Sequence, residues 1–114
     1  MEILGLVFAG TATPHRAAMA AFARDVLGLA PDDGTPYADM FSLPDGSGFA
    51  VSDERVPGGG TSRTIGFLVA DLDAAVAELT AAGADVEAPA ANDSYRYAHV
   101  VAPDGALYEL VERR

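Results

Sequence analysis

RYAHVVAPDGALYELVER, residues 96–113, reads as strand, tight turn, strand. Pro103 fixes its own φ, Asp104 bonds to nearby backbone and Gly105 tolerates positive φ, so Pro103-Asp104-Gly105 predicts a close reversal. Alternation of apolar and polar residues on both sides predicts two strands, each with one buried face. The stretch also concentrates polar groups able to meet a ligand: Tyr97, His99, Tyr108 and Glu109, with Tyr95 just before them. A regular strand puts Tyr95, Tyr97 and His99 on one face and sets Tyr108 opposite Glu109.

Working outward, the turn has a second copy 59 residues upstream, Pro44-Asp45-Gly46. In the first half, Glu2 to Gly10 predicts a strand. Thr13 as N-cap and Pro14 at the first helical position predict a helix to Leu27, with Met19, Phe22 and Val26 on its apolar side and Gly28 ending it. Ala30 to Thr35, APDDGT, reads as a loop, and Tyr37 to Leu43 and Phe49 to Ser52 as strands around the turn. Asp53 to Arg63, DERVPGGGTSR, reads as a linker, its three consecutive glycines too permissive for a regular element.

In the second half, Thr64 to Ala70 predicts a strand and Asp71 a helix cap. Leu72, Ala75, Val76 and Leu79 form the buried stripe of that helix, and Gly83 closes it. Ala84 to Glu87 predicts a short strand, Pro89 to Asp93 a loop, and Tyr95 to Val101 the strand that enters the opening stretch. The same offset sets Gly5 against Thr64 and Ala50 against Glu109. Two incomplete sheet-and-helix modules can bury each other's apolar faces. The expected fold is therefore α+β: two tandem βαβββ modules, residues 1–52 and 64–114 joined by a linker at 53–63, forming one domain with a strongly curved mixed sheet and helices outside.

The chain has 114 residues, half of them hydrophobic, which predicts one folded unit rather than disorder. Its formal charge is −10, with seven Arg and no Lys, against the basic patch that nucleic-acid binding needs. No apolar run is long enough to cross a bilayer and no segment reads as a secretory or lipidation signal, so the expectation is a cytoplasmic protein without membrane or nucleic-acid partners. With no cysteine there is neither a disulfide nor a thiolate nucleophile. A Ser-His-Asp arrangement and a phosphate-binding glycine loop are also missing. Among the remaining residues, His99 with Glu109 is the best acid/base pair, and tyrosines suit a planar ligand.

FARDVLGL (residues 22–29), TIGFLVADLDAAVAELTAAGADV (64–86) and VAPDGALYELVER (101–113), in this order, resemble the vicinal oxygen chelate superfamily of glyoxalases, bleomycin- and fosfomycin-resistance proteins and extradiol dioxygenases. The resemblance covers nearly the whole chain and implies the paired-module fold, glyoxalase/bleomycin-resistance-like. It also implies metal-ligand positions on the first strand of each module and on the strand after each closing turn. Here those fall on Gly5 or its neighbour Leu6, on Ala50, on Thr64 and on Glu109. Only Glu109 carries the usual ligand chemistry, so no metal residues and no cofactor are expected.

The leading functional expectation is a metal-independent small-molecule-binding protein, resembling the antibiotic-sequestering resistance branch of that superfamily. Its ligand would be a small organic molecule, planar or cationic, met by Tyr37, Asp39, Tyr95, Tyr97, His99 and Glu109. The enzyme alternative is a metal-independent lyase, isomerase or cyclase acting on a small secondary metabolite, with His99 and Glu109 as its catalytic residues. A third alternative is a structural or interaction subunit. The resemblance further implies a homodimer.

Overall fold

The computed structural model describes residues 1–53 and 62–114, so the glycine run at 58–60 and most of the expected linker lie outside the described residues. Each half of the chain folds in the expected order of strand, helix and antiparallel strands. The first comprises β1 (Ile3–Ala12), α1 (Arg16–Ala21) with a π-helical continuation (Phe22–Val26), β2 (Ala30–Thr35), β3 (Ala38–Ser42) and β4 (Gly48–Ser52). The second comprises β5 (Ser62–Val69), α2 (Leu72–Ala81), β6 (Asp85–Val86), a two-residue β7 (Ala90–Ala91), β8 (Tyr95–Val101) and β9 (Leu107–Arg113).

By their contacts the residues fall into two compact units, one of Met1–Val7 with Thr64–Arg114 and one of Phe8–Arg63. The strand β1 gives its first residues to one unit and its last to the other. In the Phe8–Arg63 unit the order is β2-β3-β4-β1, with β1 and β4 parallel and the other pairs antiparallel. In the other it is β1-β5-β9-β8-β6, with β5 and β9 parallel, β9, β8 and β6 antiparallel, and β7 also on β8. The two βαβββ modules thus share one pairing scheme, an α+β fold of mixed sheet.

Three sequence expectations need correction. Ala30–Thr35 is a strand and not a loop: it pairs with β3, Ala30 opposite Ser42 and Asp32 opposite Met40. Its Pro and two Asp argue against a central strand, but it lies at the end of the strand order, where such residues guard an open edge. The ladder shifts between Asp32 and Thr35, and a Cβ on Gly34 would stand 2.6 Å from the Ala38 carbonyl oxygen, so the irregularity requires glycine. Thr13 does not cap α1: its Oγ1 accepts from the His15 N–H at 3.2 Å, and the helix begins two residues later than the sequence suggests. Residues 89–93, expected as loop, include the short β7.

Each unit has its own apolar centre between helix and sheet. Val69, Leu72, Ala75, Ala98 and Leu110 pack together in one, and Ala20, Ala23, Phe41 and Val51 in the other. The residues alternate along the strands as the period of two demands: Ala98 and Val100 of β8 are buried while Tyr97 and His99, alternating with them, are only partly buried on the other face. Among the described residues no helix is long and apolar enough to cross a membrane.

Candidate functional site

The β8–β9 hairpin is set by its turn. Gly105 N–H donates to the Ala102 carbonyl and Ala102 N–H to that of Ala106, both at 2.8 Å, Asp104 Oδ1 accepts from Ala106 N–H, and Gly105 takes φ +87°. The turn at Pro44-Asp45-Gly46 repeats these bonds through Leu43, Ser47 and Gly46, whose φ is +83°. With that turn fixed, His99 falls directly opposite Glu109, Tyr97 opposite Val111 and Tyr95 opposite Arg113. Four of the six expected ligand-binding residues, Tyr95, Tyr97, His99 and Glu109, therefore share one face of this hairpin. Tyr108 lies on the other face, edge-on to Phe67 at 5.6 Å between ring centroids.

His99 sits between two carboxylates. Its Nε2 is 2.8 Å from Glu109 Oε2 and its Nδ1 is 2.9 Å from Glu87 Oε2. Glu109 is the most enclosed of the three at 13% side-chain exposure, His99 has 25% and Glu87 has 65%. The hydrogen bond with Glu109 is the chief reason that the imidazole pKa rises from 6.5 to about 9; burial opposes the rise and Glu87 adds to it. At neutral pH the ring is an imidazolium with both N–H groups engaged, so it is not a proton acceptor. Tyr97 packs edge-on against it, with ring centroids 5.8 Å apart. His99 meets one oxygen of each carboxylate, Glu109 Oε2 and Glu87 Oε2, which leaves Oε1 of each outside the pairing with the ring.

The opposite face of the hairpin is committed to holding α2. Arg96 pairs with Asp73 at 2.7 Å and reaches Glu112 at 3.5 Å, and Glu112 Oε2 accepts from the Leu72 N–H at 2.6 Å. Arg96 is thus a structural tie rather than a lone edge residue.

Tyr37 and Asp39 belong to the other unit. Tyr37 occupies the reversal between β2 and β3, where its side chain is exposed and its carbonyl accepts from the Asp53 N–H at 3.2 Å. Asp39 Oδ2 takes a 2.9 Å bond from Arg16 Nε, and Arg16 also reaches Asp53 at 3.3 Å and the Pro36 carbonyl at 2.9 Å. That network ties the start of α1 to the β2–β3 hairpin.

The parallel ladders change the assignment of the metal-ligand positions. Ala50 lies opposite Gly10 in β1, and Glu109 opposite Gly66 in β5. Matching Gly10 to Gly66 makes Phe8, not Gly5 or Leu6, the counterpart of Thr64. The constant offset of 59 fails on the first strand because 40 residues separate Gly10 from Ala50 and 43 separate Gly66 from Glu109; the second module carries the extra turn of β7. The four positions hold Phe8, Ala50, Thr64 and Glu109. Phe8 and Ala50 belong to one unit and Thr64 and Glu109 to the other, and of these side chains only the Glu109 carboxylate, already paired with an imidazolium, is an ordinary divalent-metal ligand. Among the described residues no group of three or more His, Cys, Asp or Glu side chains is arranged to hold a metal ion.

Glu87 is the residue that sequence reasoning missed. The signal was present in the expected strand at residues 84–87, which would bring this carboxylate alongside β8, but the alternation does not reveal the partner strand's register.

Residues 6–111 match the family model described as a glyoxalase-like domain. No curated protein sequence matches significantly. Among solved structures, the chain is similar to methylmalonyl-CoA epimerase from Mycobacterium tuberculosis, with 21% identity and TM-score 0.68 over 98% of this chain and 89% of that one. It is similar to the Mn(II)-bound glyoxalase from Novosphingobium aromaticivorans, with 21% identity and TM-score 0.78 over 96% of this chain and 39% of that one. It is also similar to a variant of homoprotocatechuate 2,3-dioxygenase from Brevibacterium fuscum, with 20% identity and TM-score 0.79 over 98% of this chain and 33% of that one. The latter two are much longer proteins, of which this chain spans about two fifths and one third. At these identities the likeness is one of fold.

Proposed function

The chain belongs to the glyoxalase-like domain family, and from that premise we propose that it is a metal-independent small-molecule-binding protein whose ligand is a planar organic cation. The carrying observation is the Glu87–His99–Glu109 group beside Tyr95 and Tyr97 on the β8–β9 face. Two carboxylates and one imidazolium leave one net negative charge, and Glu109 retains an acceptor oxygen for an ammonium or amidinium donor. The tyrosine rings supply a surface for a flat molecule and attract a cation to their faces. Sequestration of a cationic antibiotic is the finer form of this reading, supported by the superfamily resemblance and by the poverty of metal donors. A cytoplasmic homodimer completes the proposal, and light scattering at working concentration tests the dimer.

Isothermal titration calorimetry against planar aromatic cations and their neutral analogues tests capture. Saturable binding of cations, weakened tenfold or more by Glu109→Gln, is expected, since each lost charged hydrogen bond costs about 1.5–3 kcal/mol. Absence of binding by well-folded protein, or equal binding of neutral analogues, rejects the reading.

A second reading is favoured by the 2.8 Å contact between His99 and Glu109. In a metal-independent lyase, isomerase or cyclase, Glu109 would be the proton acceptor and His99, already protonated, the donor. Turnover of a candidate metabolite that persists in Glu109→Gln contradicts that assignment.

A further inference from the structure

We propose that Glu87 is a positioning residue: it grips His99 Nδ1 so that Nε2–H is aimed at Glu109, a role that rests on the reading of Glu109 as the ligand anchor. The backbone puts Glu87 in place. The β6–β8 ladder pairs Asp85 with Val101 and Val86 with Val100, and Glu87 N–H donates to the His99 carbonyl at 2.9 Å, so the next pair in that register is Glu87 with His99. From β9, Glu109 stands opposite the same histidine. His99 is therefore flanked on both sides by carboxylates, at 2.9 Å and 2.8 Å from its two ring nitrogens.

A ring bonded through one nitrogen alone can turn about its terminal torsion or exchange tautomers. A ring held at both nitrogens by acceptors is fixed with both N–H groups donating. The orientation of Glu109 then follows, because its Oε2 is held by Nε2–H at 2.8 Å and its Oε1 is left outside that bond. Glu87 takes no part in either apolar cluster and is largely solvent-exposed, so packing does not account for its geometry. The charged groups facing the ring among the described residues are Glu87, after β6, and Glu109, from β9. Tyr97 of β8 contributes a ring edge, and β7 contributes only alanines. The elevated pKa of His99, with Glu109 its largest cause and Glu87 a further one, agrees with this arrangement.

NMR titration of the ligand-free protein tests the grip, following the ring nitrogens of His99 with His15, the other histidine of the chain, as internal control. In Glu87→Gln the His99 midpoint is expected to fall by about one pH unit, with Nδ1 losing its proton first and the melting temperature almost unchanged. Glu87→Ala, which offers no amide in place of the carboxylate, is expected to show the same fall. An unchanged midpoint in both variants overturns the proposal. Because this titration needs no ligand, it is read separately from calorimetry: a shifted midpoint without any cation binding rejects capture by Glu109, whereas cation binding with an unshifted midpoint rejects the role of Glu87.

Discussion

His99 couples stability to pH in a definite direction. Its pKa is raised from 6.5 to about 9 in the fold, first by Glu109, so between these values the folded chain binds more protons at this site than the unfolded chain. The stability from this site is therefore fully present below pH 6.5 and is lost as pH rises through about 9. Urea unfolding across pH 6 to 10 is expected to show that decline, and His99→Gln to remove it; a wild-type curve parallel to that of the variant would contradict the assignment. Glu109→Gln leaves a half-enclosed imidazolium short of its nearer carboxylate and is expected to lower stability by about 1–2 kcal/mol at pH 7, read from the urea midpoint. The shared face of Tyr95, Tyr97 and His99 was legible in the sequence because alternation within a strand decides it locally, whereas Glu109 joins that face only through the β8–β9 register. Glu87 was not, because its contact depends on the register of a two-residue strand against β8, and register is a property of the pair.

At the scale of elements, the two helices are closed by unlike means. Asp71 caps α2 by accepting from Ala74 N–H at 3.0 Å, and at the other end Gly83, at φ +83°, lets its own N–H reach the Thr80 carbonyl and that of Ala84 reach Leu79. A Cβ on Gly83 would meet nothing within 4 Å, so the cost of Gly83→Ala comes from the left-handed backbone alone and is expected to be about 1–2 kcal/mol in chemical denaturation. A loss well above that would mean that the helix end is held by contacts as well. For α1 no side chain supplies a cap; Arg16 ties its start to Asp39 and Asp53. The difference explains what could be read in advance. The Asp71 cap and the closing glycines are local signals and stand where expected, whereas β2 reads as a loop in sequence because its Pro, Asp and Gly have low strand propensity and only pairing with β3 makes it a strand. The offset of 59 between the turns was sound for β4 and β9 and misled only on β1, where the extra β7 residues of the second module enter the count.

Over the whole molecule, charge and donor chemistry make separate predictions. A formal charge of −10 repels itself in the folded state, and raising ionic strength from 0.01 to 0.15 M shortens the screening length from about 30 Å to about 8 Å. The melting temperature is therefore expected to rise with salt, because the exposed ion pairs that salt weakens contribute little; a fall would mean that those pairs outweigh the repulsion. The metal question is sharper. A resident divalent ion that binds only the folded chain, supplied at a hundred times its dissociation constant, adds about 2.7 kcal/mol, which in a domain of this size is about ten degrees or more in melting temperature. Of the counterpart positions that the superfamily resemblance implies, Phe8, Ala50, Thr64 and Glu109, only Glu109 has an ordinary metal-ligand side chain, and it already faces an imidazolium. Protein stripped with chelator and then given Mn(II), Zn(II) or Fe(II) under argon is accordingly expected to melt within about a degree of the stripped sample, with cation binding by calorimetry unchanged. A rise of several degrees with any one of these ions, lost in Glu109→Gln, would show that Glu109 takes part in a metal site completed by groups other than the four, and would overturn the metal-independent reading.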